Sequence, residues 1–282
     1  MGCPTVLSDS KRILFVIRRP AILLAIALLA GCAATSPSEY ATQTAEQQLA
    51  AAGLREADLG AASLMRAWYR STPEAPSVWH IYVEGDGRAW RGAGQPSSNP
   101  TPRQPVAMHL ALEDPHSHVA YLARPCQFLQ PLPDGCHFSL WTTQRYGPDV
   151  EAQMLAALNA IAGGQSVRLI GFSGGAHLAQ QLAQRHPNVE LLISVAGNLD
   201  DASFAQHHRL PAPQIASPPP GTIPFYSLAG GNDDIVPPSL AQHQLTRQAH
   251  GCHHLEVHPQ AEHTGPWQLD WHTIEAFLEA CQ

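Results

Sequence analysis

Beyond the first forty residues the chain alternates between short apolar runs and segments with helical spacing. Apolar runs predict strands at Ser63–Tyr69, Val78–Glu84, His118–Ala123, Val167–Phe172, Glu190–Val195, Ile223–Ala229 and His254–His258. Apolar residues three and four apart predict helices at Thr42–Ala52, Pro105–Leu112, Asp149–Ala162, Gly175–Arg185, Ser239–His250 and Leu269–Ala280. Strands that are apolar throughout must be covered on both faces, so the expected fold class is α/β: a mainly parallel central sheet with helices on both sides. Two stretches break the alternation. Gly92–Pro105 is rich in Pro, Ser and Gly and is expected to form a loop over the site. Asp200–Gly221 holds five prolines and two adjacent histidines and is expected to be an insertion.

The N-terminus follows a different pattern. Lys11, Arg12, Arg18 and Arg19 precede an apolar run from Ala21 to Ala30, which is too short to span a bilayer comfortably. A basic flank, a short apolar stretch and small residues describe an export signal. Leu29-Ala30-Gly31-Cys32 resembles the lipobox of bacterial lipoproteins, which implies cleavage before Cys32 and acylation of that cysteine. The expected organisation is a signal peptide over 1–31, a lipidated tether over 32–41 and one domain over 42–282. By the same resemblance, Ala33 after the cysteine implies the outer membrane, facing the periplasm. The whole chain carries a formal charge of −7, and loss of four basic residues and Asp9 with the signal takes it to −10. Attachment would then depend on the acyl chains rather than on attraction to anionic lipid. No long basic block suggests nucleic-acid binding.

After Cys3 and Cys32 are set aside, Cys126, Cys136, Cys252 and Cys281 remain. In an exported chain they read as two disulfides. Three pairings are open, and local closure favours Cys126–Cys136 with Cys252–Cys281. No C-x-x-C spacing indicates a metal, and the chemistry below requires neither metal nor cofactor.

That chemistry begins at Gly171-Phe172-Ser173-Gly174-Gly175, a G-x-S-x-G pattern between a strong strand and an Ala-rich helix. Such glycines are needed where a serine sits in a tight strand-to-helix turn with no room for neighbouring side chains. Ser173 is the expected nucleophile. Gly230-Gly231-Asn232-Asp233-Asp234-Ile235-Val236-Pro237 follows a strand, and its G-x-x-D-x-x-V-P spacing resembles the acid loop of α/β-hydrolases. That selects Asp233, with Asp234 as its competitor. His263 lies between the last strand and the last helix. Among sixteen histidines its position singles it out, because Ser173, Asp233 and His263 then follow the α/β-hydrolase order. His258, His272 and His177 are the competitors. Glu84-Gly85-Asp86-Gly87 ends a strand, and the backbone N–H groups of Asp86 and Gly174 are the expected oxyanion donors.

Together these elements resemble the α/β-hydrolases, and more narrowly bacterial α/β-hydrolase lipoproteins of poorly defined substrate. Glu84–Gly87, Tyr121–Cys126 and Ala196–Asp200 look like segments of that group. The resemblance implies a serine hydrolase acting on a small ester-like substrate through an acyl-enzyme, with the Asp200–Gly221 insertion as a short cap. Trp90, Trp141, Tyr146 and Trp267 are candidates to touch that substrate. A peptidase, a thioesterase and a non-catalytic envelope lipoprotein on the same scaffold are the alternatives. Oligomeric state cannot be read from the chain.

Overall fold

The computed structural model describes residues 36–74, 78–92, 94–211, 213, 222–246 and 251–281. The expected signal, Cys32 and the tether as far as residue 35 lie outside them. Residues Pro37–Gln282 group as one unit.

Its elements run α1 (Pro37–Ala51), β1 (Arg55–Glu56), β2 (Ala67–Arg70), β3 (Trp79–Val83), α2 (Val106–Glu113), β4 (Val119–Leu122), a 3-10 turn (Phe138–Trp141), α3 (Pro148–Ala162), β5 (Val167–Phe172), α4 (Gly174–Ala183), β6 (Val189–Val195), α5 (Asp201–His207), β7 (Phe225–Gly230), α6 (Pro238–Thr246), β8 (His253–His258) and α7 (Trp271–Ala280). The eight strands form one sheet in the order β1-β2-β4-β3-β5-β6-β7-β8. β1–β2 and β2–β4 pair antiparallel; every other pairing is parallel.

The fully apolar strands predicted this arrangement. β3, β5 and β7 are buried along their whole length. Successive side chains point to opposite faces. Tyr82, Ile170 and Ile193 pack with Leu49 of α1, Met108 of α2 and Leu278 of α7. Ile81, Val83 and Leu169 pack with Met154 and Leu158 of α3 and Leu178 and Leu182 of α4. These helices meet the sheet with their apolar stripes, from both sides, as a doubly covered sheet requires.

Three expectations change. The first helix begins at Pro37 rather than Thr42, because proline suits a first helical turn and Glu39 complements the helix dipole there. The strand expected over Ser63–Tyr69 forms only from Ala67; upstream, the Leu64 carbonyl turns away to accept from the Cys126 N–H at 2.7 Å. The insertion Asp200–Gly221 contains helix α5, started by Asp200, whose carboxylate accepts from the N–H groups of Ala202 and Ser203. The described part of Gly92–Pro105 is a loop, as expected, and it packs against the domain: Ser97, Asn99 and Thr101 are buried, and the Pro100 carbonyl accepts from the Arg88 N–H at 2.9 Å.

Both disulfides close as local closure favoured, Cys126–Cys136 and Cys252–Cys281. No helix among the described residues is long and apolar enough to cross a membrane.

Candidate active site

Strand order reverses at β3, which has β4 on one side and β5 on the other. Such a switch point opens a crevice at the carboxyl ends of the strands, where sites of open α/β sheets form. Register places Val83 opposite Gly171, so the turn after β3 lies beside the turn after β5.

Ser173 sits in that second turn with φ 51° and ψ −121°. A left-handed backbone at a residue with a side chain costs on the order of 1–3 kcal/mol. Burying Leu178 and Leu182 completely on the following helix offsets it, at roughly 1.5–3 kcal/mol each. Two glycines let the helix come this close. A Cβ on Gly171 would stand 2.3 Å from the Ala176 Cα, and one on Gly175 would stand 2.3 Å from the Val83 carbonyl oxygen. The turn is pinned by the Ser173 N–H donating to Val195 and by the Ser173 carbonyl accepting from Ala176 and Asn198.

His263 brings its Nε2 to 2.9 Å from the Ser173 Oγ and its Nδ1 to 2.9 Å from the Asp233 Oδ2. Asp233 is buried, and its Oδ1 accepts from the N–H groups of Ile235 and Val236 at 2.8 Å each. A carboxylate that only accepts assigns the proton to Nδ1, which leaves Nε2 free to accept from the serine hydroxyl. Asp233 and not Asp234 meets the histidine; Asp234 is exposed. The competing histidines stand elsewhere. His258 ends β8 beside Glu256, and His272 is exposed on α7. His177 is buried against Tyr146 at 3.9 Å; burial first, then Arg145 and Arg124, push its imidazole down to about 3.

Asp86 follows β3 and Gly174 opens α4, on the two turns that the register sets side by side. Glu84 is fully enclosed behind the first turn. It accepts from the Gly85 N–H at 2.9 Å, the Tyr121 hydroxyl at 3.1 Å and the Met108 N–H in the first turn of α2 at 3.3 Å. Burial pushes its carboxyl up to about 7 against the pull of those bonds.

The four aromatic candidates divide. Trp267 donates its indole N–H to the His263 carbonyl at 3.0 Å and so braces the base. Trp141 and Tyr146 are 5% and 2% exposed, which leaves almost no surface for a substrate. Trp90 is exposed, in a bridge with Pro96.

Near the opposite strand ends, His80, Asp114 and His116 are the one group of metal-ligand composition among the described residues. His80 Nδ1 and the Tyr82 hydroxyl both donate to Asp114 Oδ2 at 2.7 Å, and the His116 N–H donates to Oδ1 at 2.8 Å. An Arg168 nitrogen stands 3.3 Å from His80 Nε2, and Trp271 stacks on the ring at 4.0 Å. With the carboxylate fully engaged and a guanidinium on the far ring nitrogen, the group is a hydrogen-bond network joining β3, α2 and α7.

A family model described as the Dienelactone hydrolase family matches residues 137–265, a segment that contains Ser173, Asp233 and His263. A search of the curated proteins finds no match. Among solved structures, a membrane phospholipase A described as a bacterial virulence factor superposes with a TM-score of 0.55 at 16% identity, covering 93% of this chain and 97% of that one. The esterase LipW from Mycobacterium marinum gives 0.53 at 17%, covering 93% and 88%. Alpha/beta hydrolase domain-containing protein 10 from mouse gives 0.52 at 18%, covering 81% and 99%. This chain is an α/β-hydrolase by fold. At these identities the likeness bears on architecture alone.

Proposed function

We propose that this protein is a serine hydrolase that cleaves a small carboxylic ester through an acyl-enzyme on Ser173. The observation that carries the reading is the continuous hydrogen-bonded chain Ser173–His263–Asp233, assembled from three different strand ends with 2.9 Å at both links. In the reaction, His263 Nε2 takes the serine proton as Oγ attacks the ester carbonyl. The imidazolium formed is stabilised by Asp233. The N–H groups of Gly174 and Asp86 receive the oxyanion of the tetrahedral intermediate. Collapse expels the alcohol, which takes the proton from His263. Water then attacks the acyl-enzyme with His263 again as base, releasing the acid and restoring Ser173.

Export and lipid attachment through Cys32 form part of the same proposal. The lipobox-like Leu29–Cys32 supports it, as do two disulfides of a kind that persist in an oxidising compartment. The test is turnover of p-nitrophenyl esters of increasing acyl length by the purified full-length protein in detergent. Hydrolysis that Ser173→Ala removes supports the reading and gives the acyl preference. Inertness toward all of them sinks the ester assignment and favours a binding lipoprotein on this scaffold.

A further inference from the structure

The three segments that resemble the α/β-hydrolase lipoproteins, Glu84–Gly87, Tyr121–Cys126 and Ala196–Asp200, meet in one ionic network beside the nucleophile. Arg124, just past β4, donates from one guanidinium nitrogen to Asp86 Oδ1 and from another to the Arg145 carbonyl. The Arg145 Nε makes an ion pair with Asp86 Oδ2 at 3.3 Å, and its Nη2 donates to Asp201 Oδ1 at 2.7 Å. Asn198 donates from its side chain to the same Asp201 oxygen at 2.9 Å, and its backbone N–H donates to the Ser173 carbonyl at 3.1 Å. The network therefore starts at the turn after β3 and closes on the nucleophile residue. Gln127 adds a second brace: it accepts from the Arg124 N–H and donates to the Gly85 carbonyl, both at 3.0 Å.

Two guanidiniums balance two carboxylates, so the network is neutral as a whole. Its geometry is uneven, because the Asp86 carboxylate lies against the nucleophile turn. A Cβ on Gly174 would stand 2.1 Å from Asp86 Oδ1. An uncompensated negative charge there would oppose the charge that grows on a substrate oxygen bound by the Gly174 N–H. Burial by itself would raise the Asp86 carboxyl, but Arg124 and Arg145 outweigh it and hold the group below the usual carboxylate range.

We propose that Arg124 and Arg145 are positioning residues for the oxyanion hole: they clamp the Asp86 side chain, fix its backbone N–H beside that of Gly174, and offset its carboxylate. The proposal rests on the serine-hydrolase reading and adds to it a requirement for two arginines that touch no substrate.

The experiment is a double-mutant cycle on the full-length protein, followed by p-nitrophenyl acetate turnover and by the rate of fluorophosphonate labelling. Removing one oxyanion donor outright costs about 10²–10³ in kcat, so a displaced donor is expected to cost about 10- to 100-fold in Arg145→Met with KM nearly unchanged. Arg145→Lys, which keeps the charge, should recover part of that loss. In an Asp86→Asn background the clamp has no carboxylate to hold, and Arg145→Met should cost several-fold less than it does in the wild type. Equal losses in both backgrounds would mean that Arg145 acts only through general packing, and would overturn the proposal. So would a folded Arg145→Met protein that labels at the wild-type rate; the triad reading would survive that result. A wild type that never labels removes both. If Arg145→Met does not fold, the cycle is read with Arg145→Lys against Asp86→Asn, and additive effects there would equally overturn the clamp.

Discussion

The indole N–H of Trp267 donates to the backbone carbonyl of His263 at 3.0 Å, so the base is held from behind by a residue four positions further on. With Asp233 on its Nδ1, the imidazole is fixed from two directions. Trp267→Phe keeps a ring in the buried site and removes only the donor. The expected cost is about 1–2 kcal/mol of stability, with a several-fold loss in ester turnover as His263 loosens. Thermal unfolding alongside turnover checks both; an unchanged protein would show that the brace is dispensable.

Asp233 and Asp234 are adjacent, yet the structure gives them opposite fates. Asp233 is buried, bonded to His263 and to two backbone N–H groups, whereas its neighbour is exposed. Asp233→Asn should lower kcat by about 10³–10⁴, because an amide favours the wrong imidazole tautomer. Asp234→Asn should stay within about twofold of wild type. Steady-state kinetics on the pair decides, and similar losses in both variants would contradict the assignment.

Much of this was legible in the sequence because the informative residues are local. The run Val167–Phe172 forms a strand over the expected residues, and Ser173, Asp233 and His263 lie in the turns that follow β5, β7 and β8. What was missed has no local pattern. β1 is two exposed residues, and α5 hides in a proline-rich stretch where only the capping Asp200 signalled it. Arg145 lies in a loop between a 3-10 turn and α3, and its partners Asp86 and Asp201 are distant in sequence. Nothing in its own neighbourhood marks it. Trp141 and Tyr146 were candidates to touch substrate and are core, because an aromatic near a strand end does not reveal which way it points. Trp267 carried the opposite ambiguity: its ring packs inward while its N–H serves the site.

Glu84 supplies a pH dependence of stability. Its carboxyl is held near 7 in the folded protein by burial, against 4.5 for the ordinary group. An acid whose folded value is raised stabilises most when both states are protonated, below the ordinary value. It loses that contribution as pH rises through the folded value. Stability should therefore fall by up to roughly 3 kcal/mol between about pH 5 and 7.5, relative to Glu84→Gln. Denaturant unfolding of both proteins across that range tests the difference. Parallel curves would show that burial is relieved by another route.

The Cys252–Cys281 bridge spans 29 residues and encloses the loop that carries His263. Replacing both cysteines by serine should lower stability by about 3–4 kcal/mol on the chain-entropy account. Urea unfolding of the double variant measures it. A loss under about 1 kcal/mol would show that α7 is held by packing alone.

The measurement closest to the central claim is fluorophosphonate labelling of the purified, disulfide-intact full-length protein, comparing wild type with Ser173→Ala and His263→Ala. An activated serine held by this triad predicts stoichiometric labelling of the wild type, none in Ser173→Ala, and labelling slowed by about 10³-fold or more in His263→Ala. A folded wild type that does not label, or a Ser173→Ala variant that labels as fast, would contradict the account.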